Sequence, residues 1–436
     1  MSRLLYTLGW YLATPLVLAY LLWRSYRQPE YRAHWAERWG FVGPRKSRAP
    51  LIWIHAVSVG ETRAAQPLVD ALATRYPKAE WLLTCMTPTG RETGRLLFGE
   101  RVRQAYLPYD YPWAARRFLA AWRPDLGIIM ETELWPNLVA QAHRVRLPLA
   151  LVNARLSGRS LKKGLRWVAL IGPALGRLDV VAAQTESDAA RLAQLGRTAV
   201  SVTGNLKFDV SPAADQLDAG RGWKSALGAR AVVLAASTRD GEERLLLQAW
   251  VAAGARLLSQ PAPVGMRPLL AIVPRHPQRF DEVASLAGQS GLRVARRSRI
   301  EATDTDWQSA DVLIGDSMGE MFAYYAMASV AIIGGSLLAF GGQNLIEACA
   351  VGVPVLVGPH TYNFAEAAEQ AVAAGAALRF ESAEQAVAAA CSLVDEPARL
   401  AEMSVAADRF ARTHQGATQR TLQALAPALA ALDQKR

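Results

Sequence analysis

Cysteine is scarce: Cys85, Cys349 and Cys391 are the only three in 436 residues. An odd number without metal-type spacing excludes a disulfide framework and a thiolate metal site. The three read as small core residues of a reducing compartment. The six histidines are scattered and offer no metal cluster either. No Walker loop and no G-x-G-x-x-G fingerprint is present. Nothing resembles a zinc finger or an aromatic RNA platform, so nucleic acid is not an expected partner.

What the chain has is length, alanine-rich helical stretches and short β-branched runs in alternation. That pattern predicts parallel sheets covered by helices, and 436 residues suffice for two such domains. The charge is uneven. Residues 1–210 hold 29 Lys and Arg against 15 Asp and Glu, a net +14, whereas residues 211–436 hold 20 against 23, a net −3. A basic half suits nucleic acid, anionic lipid or a phosphorylated substrate, and composition does not choose among them.

Leu4 to Trp23 is free of charge and, as a helix, about 30 Å long, enough to cross a bilayer. Gly9 and Pro15 weaken it, and five aromatics run along it. Residues 24–50 follow with seven Lys and Arg against two Glu. A cleaved signal peptide fits poorly, because only Arg3 precedes the run and no small-residue cleavage site precedes Arg24. The expectation is a retained anchor, spanning or shallow, with the bulk of the chain on the cytoplasmic side. The alternative is a buried helix of the first domain.

The first domain, 51–210, is expected to carry strands at Leu51–His55, Trp81–Met86, Val102–Leu107, Leu126–Met130, Leu149–Val152 and Val180–Ala183, with a helix from Thr62 to Tyr76. Ligands of such sheets bind beyond the strands' carboxyl ends, which puts Glu61, Thr87–Gly90, Glu131 and Asn153 on one rim. Glu61 at a helix start suits a general base, or is simply a favourable first-turn carboxylate. Of Glu131 and Glu133, extended chain would turn only one into the site, leaving the other to cap the helix after Trp135. Lys207 lies near the hinge, where a cation reaches a ligand or merely meets solvent.

Residues 211–228 read as a polar linker. The second domain, 229–414, opens with a strand at Ala231–Ala236 and a turn at Ser237; Leu269–Val273 leads to Pro274, Arg275 and His276, where Arg275 suits a phosphate or a base edge. Asp316–Met321, including Gly319 and Glu320, forms another turn with candidate anion-binding amides. Val330–Ile333 then runs into a loop with Gly334, Gly335, Gly341 and Gly342, followed by a helix over Gln343–Ala348 and a strand at Val353–Val357. Strand, glycine loop and helix start form a candidate nucleotide cradle, with Asn344 at the helix start and Glu347 accepting from a ribose diol. A glycine-rich turn without ligand is the plain alternative. A last helical stretch, 415–436, is expected to pack back on the first domain.

Two motifs lead elsewhere. Ala56-Val57-Ser58-Val59-Gly60 is one residue from the hydrolase elbow G-x-S-x-G, which makes a Ser58 esterase the rival reading, with His143 the only later His of that domain. Asp304-Thr305-Asp306 matches a cation-binding aspartate pair, yet follows no apolar strand and reads as a solvated loop.

His55–Glu61, Met130–Asn137, Gly204–Asp209, Val273–Pro277 and Gly341–Glu347 together resemble, in order and spacing, the 3-deoxy-D-manno-octulosonic acid (Kdo) transferases of Gram-negative bacteria. The resemblance implies an α/β GT-B fold, two Rossmann-like domains facing across a cleft, with an N-terminal membrane-anchor helix; the anchor (4–23) and the basic juxtamembrane segment together take up 1–50. It implies transfer of Kdo from CMP-Kdo to the lipid A precursor (lipid IVA), inverting and without metal or other cofactor, at the cytoplasmic face of the inner membrane. Glu61 would be the base; Glu131 and Lys207 would stabilise the transition state. Ser237, Pro274, Arg275, His276, Gly319, Glu320, Met321, Asn344, Leu345, Ile346 and Glu347 would hold CMP. Partners would be CMP-Kdo, the phosphorylated lipid and an anionic membrane surface. The chain departs from the family at Arg239 and Gln343, where His is frequent. Another nucleotide-sugar transferase and a membrane-tethered binding protein are the remaining alternatives.

Overall fold

The computed structural model describes residues 2–209, 212–257, 267–300 and 306–433. They form two units: Met1–Asp209 with Gln415–Arg436, and Val210–His414. Each is built on one seven-stranded sheet in which every recorded strand pair is parallel.

In the first unit the strands are β1 (Leu51–His55), β2 (Glu80–Cys85), β3 (Arg103–Tyr106), β4 (Leu126–Met130), β5 (Leu149–Ala154), β6 (Val180–Ala183) and β7 (Ser201–Val202), in the order β3-β2-β1-β4-β5-β6-β7. Strand β1 is buried along its whole length because helices cover both faces. Side-chain alternation sends Ile52 and Ile54 to one core and Leu51 and Trp53 to the other. The first core is completed by the end of the chain: Leu425, Leu429 and Leu432 pack against Leu68, Leu72 and Ile128. The predicted terminal helix is two helices, Ala417–Ala424 and Ala426–Asp433. Asp209 caps the first of them, accepting from the Gly416 and Ala417 amides at 2.6 and 3.2 Å and from the Thr418 amide.

The second unit has β8 (Val232–Thr238), β9 (Leu269–Pro274), β10 (Val294–Arg296), β11 (Val312–Ile314), β12 (Val330–Ile333), β13 (Val355–Val357) and β14 (Ala377–Arg379), in the order β10-β11-β9-β8-β12-β13-β14. The predicted linker 211–228 is not one. From Ala214 to Leu227 it is a helix of this unit, and Gly220 lets it meet the helix Met321–Met327, where any Cβ would lie 2.2 Å from the Ala323 carbonyl oxygen. Polarity misled because the seat is short, with Gly220 at the close approach, Trp223 packed on Tyr324 at 5.4 Å between ring centroids, and Leu227 buried.

Strand order reverses between β1 and β4 in the first unit and between β8 and β12 in the second. Loops leaving the carboxyl ends at such a reversal splay apart and open a crevice. Glu61 and Glu131 follow β1 and β4, while Ser237 lies at the carboxyl end of β8 and the glycine loop follows β12.

Candidate active site

The helix after β1 is Val59–Arg75, starting three residues before the predicted Thr62. Ser58 is its cap: Oγ accepts from the Glu61 amide at 3.3 Å. The Glu61 carboxylate in turn accepts from the Val57 amide at 2.8 Å and from the Ser58 hydroxyl at 3.1 Å. A carboxylate with two donors at a helix start should be strongly acidic. Here burial outweighs those donors, and the charges of Glu131 and Glu133 add to it, so the Glu61 pKa is pushed up to about 7. The first-turn carboxylate of this helix therefore exchanges its proton near neutral pH.

Both Glu131 and Glu133 act on Glu61, against the expectation that extended chain would turn one away. Glu131 is not extended: its φ of +54° puts it in the left-handed region, which breaks the alternation as the chain leaves β4. Such a conformation in a residue with a side chain is strained and is held only where the surroundings demand it. Lys207 Nζ lies 3.1 Å from Glu131 Oε1, and Arg155 Nη2 3.9 Å from Oε2. Lys207 sits on a one-turn helix, Leu206–Phe208, pinned when Asn153 Oδ1 accepts from the Leu206 amide at 3.0 Å. Asn153 is itself fully buried with φ +53°.

Glu133 does not cap the next helix. Asp110, buried and distant in sequence, accepts from the Asn137 and Leu138 amides at 2.9 and 2.7 Å. His55 is structural: burial lowers its pKa to about 3, and Nδ1 lies 2.9 Å from Thr84 Oγ1.

Ser58 spends its proton on Glu61, while His143 is exposed on the helix Pro136–Arg144. The esterase reading therefore falls. Ser58→Ala is expected to keep at least a tenth of wild-type activity in a steady-state assay, losing one hydrogen bond to Glu61; a fully dead, well-folded variant would restore Ser58 as nucleophile.

In the second unit most of the predicted donor residues converge at the β8/β12 reversal. Ser237, with φ +57°, has its hydroxyl 3.8 Å from Met321 Sδ. Arg239 Nη1 lies 3.0 Å from His276 Nε2, and burial together with Arg239, Arg275 and Arg279 holds that imidazole below its usual pKa. The Arg275 amide donates to the Thr238 carbonyl at 3.0 Å. Burial, with the charge of Glu347, holds the Tyr325 hydroxyl well above its usual pKa, and Arg275 opposes them. Asn344 Nδ2 donates to Glu347 Oε1 at 3.1 Å, and its Oδ1 accepts from the Ile346 amide at 3.1 Å. Leu345 and Ile346 are buried, so only their backbone could meet a ligand. Pro274 ends β9, while Gly319 (φ +82°) is exposed beside Glu320, which pairs with Arg297 at 2.9 Å.

Two expectations fail here. The predicted helix over Gln343–Ala348 is a single turn, Ile346–Cys349. The glycine-loop amides are already taken: buried Glu242 accepts from Gly335 at 2.6 Å, Leu337 at 3.0 Å, Leu338 at 3.4 Å and Arg239 at 2.8 Å. The loop cradles the protein's own carboxylate, and Gly334 is needed for its close approach to the Ser237 carbonyl. Those loop amides are therefore not offered to an anion.

Among the described residues no group of three or more His, Cys, Asp or Glu gathers as cation ligands. Asp304 and Thr305 lie outside the described residues. Sequence reasoning missed Arg155, Asp110, Glu242 and Tyr325. Only Arg155 had a signal, two residues beyond Asn153 at the end of β5.

Residues 33–210 match the family described as 3-Deoxy-D-manno-octulosonic-acid transferase (kdotransferase). The chain is 48% identical over 435 residues to the 3-deoxy-D-manno-octulosonic acid transferase of Bordetella pertussis, covering 98% of this chain and 99% of that one. It is 37% identical over 389 residues to the enzyme of that name from Haemophilus influenzae, covering 88% of each. In fold it is similar to UDP-GlcNAc 2-epimerase from Neisseria meningitidis bound to UDP-GlcNAc, with a TM-score of 0.54, 15% identity, and coverage of 87% of this chain and 100% of that one. That likeness concerns the GT-B plan of two Rossmann-like units and nothing finer. With near-complete coverage at such identity, the chain belongs to the 3-deoxy-D-manno-octulosonic acid transferase family of glycosyltransferases.

Proposed function

We propose that the protein transfers Kdo from CMP-Kdo to the lipid A precursor (lipid IVA), releasing CMP with inversion and without metal, at the cytoplasmic face of the bacterial inner membrane in lipopolysaccharide core biosynthesis. The observation that carries this reading is Glu61, a carboxyl at the β1/β4 reversal whose pKa is pushed to about 7. A general base works best when its pKa lies near the working pH.

In this mechanism Glu61 takes the proton of the acceptor's glucosamine 6-hydroxyl as that oxygen bonds to the anomeric carbon. The bond from that carbon to the CMP phosphate oxygen breaks, and its electron pair leaves with CMP. Lys207, paired with Glu131 at 3.1 Å, supplies positive charge to the transition state. Arg275 answers the phosphate, and Asn344 with Glu347 answers the ribose. These fixed cations support a mechanism independent of metal. The basic residues of the first half suit a phosphorylated lipid, and the apolar Ser2–Arg27 helix suits a membrane.

The experiment is incubation of the full chain with CMP-Kdo and lipid IVA in excess chelator, read by mass spectrometry and by the anomeric configuration of the product. The expected result is lipid carrying Kdo of inverted configuration, with CMP released. Absence of transfer with or without chelator overturns the donor and acceptor; transfer abolished by chelator alone overturns metal independence.

A further inference from the structure

The helix Ser2–Arg27 has two unlike faces along its full length. Trp10, Thr14, Val17, Leu21 and Ser25 recur every three or four residues and turn toward the first unit. Trp10 packs on Tyr109, Tyr111 and Trp135 with ring centroids 5.6 to 6.4 Å apart, and the Thr14 and Tyr111 hydroxyls are 2.8 Å apart. Contact begins at Ser2, whose hydroxyl donates to the Ala169 carbonyl at 2.7 Å, and runs on to Arg24, which donates to the Tyr31 hydroxyl at 3.0 Å, and to buried Ser25, whose carbonyl accepts from Arg32 at 3.2 Å. The opposite face is apolar and exposed, with Leu4 at 73%, Leu12 at 72%, Leu16 at 73% and Leu22 at 61%.

A lone helix that spans a bilayer has hydrocarbon on every side across the membrane's core. This one is fastened along its length to a polar-bearing unit: the Thr7 hydroxyl bonds Asn137, which bonds the buried Asp110. Spanning would drag that network into hydrocarbon, where unsatisfied or charged groups are costly. Cations also flank both ends, Arg3 at one and Arg24 and Arg27 at the other. Ala169, where Ser2 docks, follows a second surface element. The helix Gly158–Arg166 exposes Arg159, Lys162, Lys163 and Arg166, and none of these four has a recorded ion pair among the described residues. Trp167 beyond it is 65% exposed.

We propose that the Ser2–Arg27 helix lies flat in the headgroup and acyl boundary of an anionic bilayer, with its Leu4–Leu22 face in the acyl region, and that Trp167 with the basic helix Gly158–Arg166 is a second contact on the same surface. The proposal rests on the membrane-bound reading above and replaces a spanning anchor with an in-plane one. Charge complementarity selects the occupant: unpaired cations beside an apolar stripe fit acidic headgroups over acyl chains.

The test uses the full chain labelled with an environment-sensitive fluorophore at Leu4→Cys, Leu12→Cys or Leu22→Cys; the native cysteines are buried. Vesicles of phosphatidylcholine with phosphatidylglycerol carry quenchers at known acyl depths. All three positions are expected at one shallow depth, roughly 5–10 Å into the boundary. A deepest position at residue 12, with 4 and 22 near opposite surfaces, would establish a spanning helix and overturn the proposal. The double variant Lys162→Gln/Lys163→Gln is expected to weaken partitioning onto these vesicles by roughly tenfold or more and onto neutral vesicles hardly at all. Unchanged partitioning removes the second contact. Transfer to detergent-dispersed lipid IVA, measured on the same variants, separates the two readings: its absence in the wild type counts against the proposed function, whereas the depth pattern bears only on the helix.

Discussion

Replacing Glu61 by alanine is expected to lower kcat by about 10²–10⁴-fold, the usual cost of a lost general base, with CMP affinity unchanged. The residues proposed to hold CMP belong to the other unit, so donor binding has no reason to follow the base. In the wild type, log kcat/KM should rise with pH and level off above about 7, because only the ionised carboxylate accepts a proton. Glu61→Gln should lose that rise together with the rate. Retention of more than a tenth of the wild-type rate, or a profile flat between pH 5 and 8, would remove Glu61 from the role. The same residue has a signature in stability. Its folded pKa is raised from 4.5 to about 7, so its stabilising contribution is complete below about 4.5 and is lost as pH rises through 7. Glu61→Gln should therefore melt higher than the wild type at pH 8, by on the order of 1–3 kcal/mol in stability, with the gap closing at pH 4. A functional residue kept at a cost to the fold behaves this way; an ordinary helix cap would show the opposite sign.

Glu242→Ala should be the most damaging single change in the second unit. One buried carboxylate accepts from four backbone amides, at Arg239, Gly335, Leu337 and Leu338. Removing it orphans those donors at about 1–3 kcal/mol each before relaxation, and water entering the gap recovers part of that. A net loss of roughly 3–5 kcal/mol, typical of breaking a buried charged network, corresponds to a fall on the order of 10 °C in Tm for a unit of this size. CMP binding should fall in parallel, because the loop Glu242 holds runs from Gly334 toward Asn344 and Glu347. Glu242→Gln keeps one acceptor oxygen and should lose less than half as much. Thermal melts with CMP titration on both variants decide the matter, and a Glu242→Ala protein melting within about 2 °C of the wild type would show that the loop holds itself.

The strands and the rim residues were legible in the sequence because buried parallel strands announce themselves as short apolar runs and their carboxyl ends follow directly. Glu61 and Glu131 are read that way and Lys207 from its place near the hinge; in the structure Lys207 pairs with Glu131, whose charge acts on Glu61. Features set by long-range partners were hidden. Asp110 and the helix it caps lie 27 residues apart, and Glu242 meets the glycine loop across 93 residues, so neither pairing leaves a local pattern. Extended-chain alternation failed at Glu131 because the left-handed backbone there is imposed by the surroundings, not by the residue's own preference. The stretch 211–228 reads as a linker for a related reason: its helix seats through a close approach at Gly220 and the packing of Trp223 on Tyr324, both set by a distant helix.

That both ends of the chain build the first unit bears on how the protein is made. Asp209 is synthesised about two hundred residues before the Gly416, Ala417 and Thr418 amides it secures. At about 5–20 residues per second, that is a wait on the order of 10–40 s. During it Leu68, Leu72 and Ile128 lack the leucines that finally cover them. The ribosome thus completes Val210–His414 first, and the earlier unit matures only once the residues from Gly416 to Leu432 have emerged. A message cut short near its end would yield a product whose second half is sound, whose Glu61 helix has no backing, and which offers quality-control factors a bare apolar face.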